Sequence, residues 1–221
     1  GQKIGTHFLG AETSAFHAPI SGHVGTPERT AVEIISDRKD ERYPLRAHEN
    51  ALEEGTRDDF LAVMREAGLR TMDEENQSLA AKVNQDLALE ETPLIINARE
   101  SEPYLTAQYS LMMSHPVELL KGAEVLKRAL KASKVIFLCE AFHREAVELL
   151  KSKIYFLRWE GYEVLAASGE AYPHDLPEIV RSQYPKGTLY SLSALFALYE
   201  AVFKGRPLLE RVVTIAGECV L

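Results

Sequence analysis

Apolar residues recur along this chain in two rhythms. In the first part they come as short runs broken by turn formers. Ala18-Pro19-Ile20-Ser21-Gly22-His23-Val24 and Ala31-Val32-Glu33-Ile34-Ile35 read as strands separated by Gly25-Thr26-Pro27. Residues 1–46 therefore predict a small β module. From about Asn50 the spacing lengthens. Residues 57–67 set Phe60, Leu61, Met64 and Ala67 on one helical face, with Thr56 as N-cap and Gly68 as the stop. Residues 73–91 are polar and predict helix in part. Residues 92–98 form a short buried strand that runs into a charged turn. A helix over 116–131 leads into a strand over 134–139. A helix over 144–159, a strand over 162–166 and an apolar helix over 189–203 follow, the last ending at Gly205-Arg206-Pro207. Strands alternating with helices predict an α/β fold, a mostly parallel sheet with helices on both faces, over residues 47–209. Residues 210–221 read as a strand in need of partners.

Composition narrows the function classes. The chain has 221 residues, 46% of them hydrophobic, with 25 Lys and Arg against 33 Asp and Glu and a net charge of −8. This describes a folded globular chain. Nucleic acid is not an expected partner, because phosphate-backbone binding draws on clustered Lys and Arg. There is no apolar run of roughly 18 residues, so direct membrane insertion is not expected. Cys139 and Cys219 cannot supply the four thiolates of an iron–sulfur cluster or a disulfide framework. Two cysteines and no export signal predict a cytoplasmic location. The opening Gly1-Gln2-Lys3-Ile4, without Met, and the unpartnered last strand predict a piece of something longer.

Common chemistry motifs are missing. There is no Gly-x-Gly-x-x-Gly, no phosphate loop ending in Gly-Lys-Ser/Thr, no His-Glu-x-x-His and no Gly-x-Ser-x-Gly. No catalytic residue stands out. Glu100 and Glu102 lie just past the buried strand at 92–98, where loops after parallel strands bind ligands. The same pattern also reads as a solvated acidic turn screened by Arg99. His17 and His23 share a strand face if that strand is regular, yet two imidazoles without a third ligand make no metal site. Cys139 reads as a buried small hydrophobe. Cys219, beside Glu218, is a redox candidate whose neighbour discourages the thiolate.

The stretch Leu94-Ile-Ile-Asn-Ala-Arg-Glu-Ser-Glu-Pro-Tyr104 resembles the C subunit of Rnf-type electron-transport complexes, which reads like Leu-Ile-Ile-Asn-Gly-Ala-Glu-Cys-Glu-Pro-Tyr there. The resemblance continues through the helix to Leu130, at Ala197-Leu-Tyr-Glu-Ala-Val202 and at Gly205-Arg-Pro-Leu-Leu-Glu-Arg-Val-Val-Thr-Ile-Ala-Gly217. Gly1-Gln2-Lys3-Ile4 and residues 17–24 and 33–37 look like that family's N-terminal barrel-sandwich hybrid module. Residues 18–26 contain no lysine for a lipoyl or biotinyl group.

That family is related to the flavin-carrying subunit of respiratory NADH dehydrogenase. The resemblance implies an FMN-binding α/β domain that accepts hydride from NADH, sits peripheral to a membrane complex, and works with other electron-transfer subunits or a partner reductase. It makes residues 210–221 the first strand of a following β-grasp domain. It also sets Gly68, Asn97, Glu100, Glu102 and Gly187 on flavin-contacting positions. Other positions depart from the pattern. The family's Gly-Leu-Gly-Gly-Ala-Gly-Phe-Pro loop is replaced by Arg65-Glu-Ala-Gly-Leu-Arg-Thr-Met-Asp73, and only Gly68 remains as a glycine. Its Tyr-Pro-x-Gly-Gly-Glu appears as Tyr184-Pro-Lys-Gly-Thr-Leu189, with the following stretch deleted and Ser191 in place of an asparagine. Glu66 and Asp73 would repel a phosphate. FMN and NADH binding is therefore expected to be weak or lost. Two functions remain in competition: an electron-transfer subunit with an eroded flavin site, in which Cys219 serves as a redox centre, and a non-enzymatic scaffold that docks partner redox subunits.

Overall fold

The computed structural model describes residues 1–9, 12–28, 31–87, 92–167, 182 and 184–217. Cys219 lies outside them. Four strands open the chain as two antiparallel hairpins. Strand β1 (Lys3–Leu9) pairs with β2 (Glu12–His17), and β3 (Gly22–Pro27) pairs with β4 (Val32–Ser36). Residues 18–21 are turn rather than strand, so β3 starts at Gly22. Pro19 and Gly22 bracket that turn, and proline cannot donate to a ladder.

The α/β body follows: α1 (Ala51–Glu54), α2 (Arg57–Glu66), α3 (Leu79–Asp86), β5 (Leu94–Asn97), α4 (Ala107–Ser114), α5 (Pro116–Leu130), β6 (Val135–Glu140), α6 (Arg144–Phe156), β7 (Tyr162–Ala167), β8 (Thr188–Ser191) and α7 (Leu192–Lys204). Its sheet is parallel, in the order β7-β6-β5-β8. Every residue of β6 is buried, as a central parallel strand requires. Residues 188–191, read from the sequence as helix or its approach, form the fourth strand. Thr188-Leu189-Tyr190-Ser191 pairs with β5, Leu94 facing Thr188 and Asn97 facing Ser191. Four residues that run directly into an apolar helix are too few for periodicity to separate strand from helix. Residues 211–217 form no strand, since no strand among the described residues makes a ladder with them.

Buried residues of every described helix join one core cluster with Leu94, Ile96, Val135, Phe137 and Cys139. On the opposite face Ile95 and Leu138 pack with Leu165, Ala167, Tyr184 and Leu189. Helices α5 and α7 cross closely at Gly122, where a Cβ would lie 2.5 Å from the Leu195 carbonyl oxygen.

The β module is pinned to the end of α2. The His17 ring is buried between two carbonyls, Nδ1 2.8 Å from Gly1 O and Nε2 2.7 Å from Glu66 O. It is thereby committed to the main chain, while His23 is exposed. Gly68 ends α2 at φ +67, and a Cβ there would lie 2.1 Å from Ala15 O of β2. Only glycine tolerates both the left-handed backbone and that approach.

Candidate functional site

In an open parallel sheet, ligands bind outside the carboxyl ends of the strands where the strand order reverses. Here that point falls between β5 and β8. Asn97 ends β5 and Ser191 ends β8, paired in register. Above them sits the loop from Gly68 to Leu79. The Ser191 hydroxyl donates to Thr71 O at 2.6 Å and accepts from Ala194 N at 3.2 Å, so one side chain caps α7 and holds the loop.

The loop is bonded largely to itself. Thr71 N donates to Gln77 O (3.0 Å), and Gln77 N donates to Thr71 Oγ1 (3.1 Å). Asn76 N and the Thr71 hydroxyl both donate to Asp73 Oδ1, at 3.0 and 2.5 Å. The Arg70 guanidinium donates to Asn76 O. Leu79 N donates to Leu69 O, Leu69 N to Met64 O, and Gly68 N to Arg65 O. Thr71 is fully buried. Met72 and Asn76 hold left-handed φ values of +53 and +43, a strained backbone that these bonds maintain. Asp73, Glu74 and Glu75 make the exposed tip acidic.

The turn after β5 divides into two parts. Asn97 Oδ1 accepts from Arg99 N at 3.0 Å. Glu100 is buried, and its Oε1 accepts from Gln108 N (2.8 Å) and Tyr109 N (3.0 Å), capping α4. Burial raises the Glu100 pKa, the two amide donors oppose that, and nearby Glu140 adds to it. Glu102, by contrast, is exposed. The solvated-turn reading therefore describes Glu102 but not Glu100 or Arg99. The Arg99 guanidinium runs inward and its Nε meets Glu140 Oε1 at 3.0 Å, with side chains 4% and 0% exposed. Arg99 Nη2, Glu140 Oε2 and His143 Nδ1 are buried without a hydrogen-bond partner among the described residues. The His143 ring packs against Tyr109, centroids 4.7 Å apart. Sequence reasoning missed this pair. Its local signal was a glutamate ending an otherwise apolar strand.

The five residues singled out from the sequence do not converge on one point. Asn97 and Glu100 lie together at the carboxyl end of β5. Glu102 points to solvent from the same turn. Gly68 faces β2 of the β module. Gly187 precedes β8, at the opposite end of the sheet, where a Cβ would lie 2.4 Å from Ile95 Cδ1. Cys139 is buried with its thiol pushed up to about 12 by burial, then by Glu140, and its Sγ lies 3.8 Å from Met112 Sδ. Among the described residues no group of three or more His, Cys, Asp or Glu is disposed to hold a metal. A cleft of about 910 Å³ opens beside the site. Met72, Leu111, Ser193 and Phe196 line it together with β-module residues such as Ile4 and Val24 and with Leu208 to Val213.

Known proteins resemble this chain over most of its length. The family described as the Nuo51 FMN-binding domain matches residues 64–194. The chain is 31% identical over 228 residues to the C subunit of the ion-translocating oxidoreductase complex of Erwinia tasmaniensis, with 92% of this chain and 28% of that protein covered. It is 27% identical over 243 residues to the protein of the same name from Vibrio cholerae, with 99% and 30% covered. The chain thus spans about three-tenths of the length of these relatives. Among solved structures, an NAD+-reducing [NiFe]-hydrogenase in its H2-reduced state superposes with a TM-score of 0.54 at 18% identity. That match covers 71% of this chain and 33% of the other, and it speaks to the fold.

Proposed function

The chain belongs to the Nuo51 FMN-binding domain family, and from that premise we propose that it is part of an electron-transfer subunit resembling the C subunit of ion-translocating oxidoreductase complexes, in which FMN binding is lost or much reduced. The observation that carries this reading is the closed loop over the switch point. A phosphate-binding loop presents free backbone amides to the anion. Here the amides of Gly68, Leu69, Thr71, Asn76, Gln77 and Leu79 are all donated within the protein. Three acids stand at the tip, and they oppose a phosphate dianion. Asn97 and Glu100 already have an oxygen committed to the main chain, and Gly187 lies at the far end of the sheet. The residues present therefore do not fit the flavin nucleotide that the family carries.

Three lost contact segments, at about 1–3 kcal/mol per missing buried hydrogen bond, weaken binding by roughly two to six powers of ten. The test is an absorption spectrum of the purified protein followed by an FMN titration read by flavin fluorescence. The expected results are no stoichiometric flavin and no saturation at micromolar FMN. Co-purified flavin at one per chain overturns the reading.

On this reading the domain contributes assembly rather than hydride chemistry, with other electron-transfer subunits as its partners in the cytoplasm at a membrane complex. The cleft between the β module, α7 and residues 208–213 is, on this reading, the surface on which such a partner docks. NADH-dependent dye reduction by the protein would instead favour an oxidoreductase.

A further inference from the structure

The pole of the molecule opposite the crevice carries an unusual combination of side chains. Helices α5 and α6 both run back to the amino end of the sheet and finish there beside the starts of β6 and β7. Residues 124–134 and 148–163 carry seven Lys or Arg against four Glu, in a chain of net charge −8. Contacts tie the two segments into one surface: Lys134 Nζ meets Glu163 at 2.9 Å, and Lys127 Nζ lies over the Tyr162 ring, 5.2 Å from its centroid. Three of the four glutamates are paired to local cations. Lys131, Lys153 and Arg158 have no ion-pair partner among the described residues.

Cations at helix carboxyl ends suit the helix dipole, which accounts for Lys127, Arg128 and Lys153. It does not account for what stands among them. Tyr155 and Phe156 are 77% and 76% exposed, and Leu157 follows them, also exposed. Three consecutive apolar side chains project from the end of α6 instead of packing. Beside them a shallow groove of about 440 Å³ is lined by Trp159, Tyr162 and Arg158.

We propose that this pole docks on an anionic lipid surface, with Tyr155, Phe156 and Leu157 entering the interface and Lys131, Lys153 and Arg158 facing the headgroups. Exposed aromatic and aliphatic side chains on a surface that also carries unpaired cations match such a surface in charge and in polarity. The contact is peripheral: no described helix is long and apolar enough to cross a membrane. It is independent of whether FMN binds.

The test is flotation of the chain with vesicles of phosphatidylcholine alone and of phosphatidylcholine containing about a third phosphatidylglycerol. The expected result is binding to the anionic vesicles only, weakened by salt. Tyr155→Ser/Phe156→Ser reduces the apparent affinity by roughly tenfold or more, and Lys153→Glu/Arg158→Glu reduces it by roughly twentyfold or more. Tyr155, Phe156 and Arg158 are exposed and Lys153 is half-buried, and an unchanged circular dichroism melt checks that each variant still folds. Phe8→Ser, in the β module, leaves binding unchanged. Equal binding to both vesicle types, or variants that bind like the parent chain, overturns the proposal. An absence of any vesicle binding also overturns it and points this pole toward an acidic protein face.

Discussion

Removing the Glu140 carboxylate as Glu140→Gln leaves the Arg99 guanidinium buried without a counter-charge. In the parent protein the two groups meet at 3.0 Å with side chains 4% and 0% exposed. At an effective dielectric constant of about 20 their attraction is roughly 5 kcal/mol. Most of it is offset by the several kcal/mol that each ion loses on leaving water. Breaking the pair from one side forfeits the attraction and keeps one desolvation cost, so Glu140→Gln or Arg99→Met alone should destabilise by about 3–5 kcal/mol. The double variant Arg99→Met/Glu140→Leu removes both charges. It also removes the two polar atoms, Arg99 Nη2 and Glu140 Oε2, that lack partners among the described residues. Its stability should therefore fall within about 1–2 kcal/mol of the parent or exceed it. Urea unfolding followed by circular dichroism measures all four corners of the cycle. In a chain of this size the single variants should melt roughly 6–20 °C lower. Single variants that each cost under about 1 kcal/mol, or a double variant as unstable as the sum of the singles, would refute the assignment of a buried, coupled pair.

Gly68→Ala should lower stability by about 2–4 kcal/mol, from the left-handed backbone and the collision with Ala15 O. Hydrogen exchange should quicken around Ala15 and His17 as the β module loosens, and an unchanged melting midpoint would contradict this. Glu100→Gln keeps an oxygen for the Gln108 and Tyr109 amides while removing a carboxylate whose pKa is raised by burial. A raised carboxyl pKa means the folded state holds the proton more tightly, so Glu100 costs stability increasingly as pH climbs from its unfolded pKa through its folded one. The variant should match the parent near pH 4 and become the more stable of the two toward pH 7, as read by urea midpoints across that range. A difference that is independent of pH would count against it.

The alternation of buried strands with amphipathic helices was legible in the sequence because burial on both faces leaves a simple mark. Strand β6 must be apolar at nearly every position, and α5 must repeat its apolar residues around one face. The acidic turn after β5 was legible in residue types alone, and the replaced loop at Gly68 through the family resemblance. Contacts between distant segments left no such mark. Arg99 and Glu140 are 41 positions apart, and a charged residue after a strand looks solvated until the neighbouring strand brings its partner alongside. Residues 188–191 became a strand because β5 offered an open edge, a decision that belongs to the sheet. Gly187 carries the same residue type wherever the chain goes, and only the register of β8 put it at the opposite end from Asn97. Sequence by itself determined which segments are buried and in what local form, through side-chain period and turn chemistry. Tertiary structure alone decided which polar groups meet, because pairing energy depends on distances that periodicity does not encode.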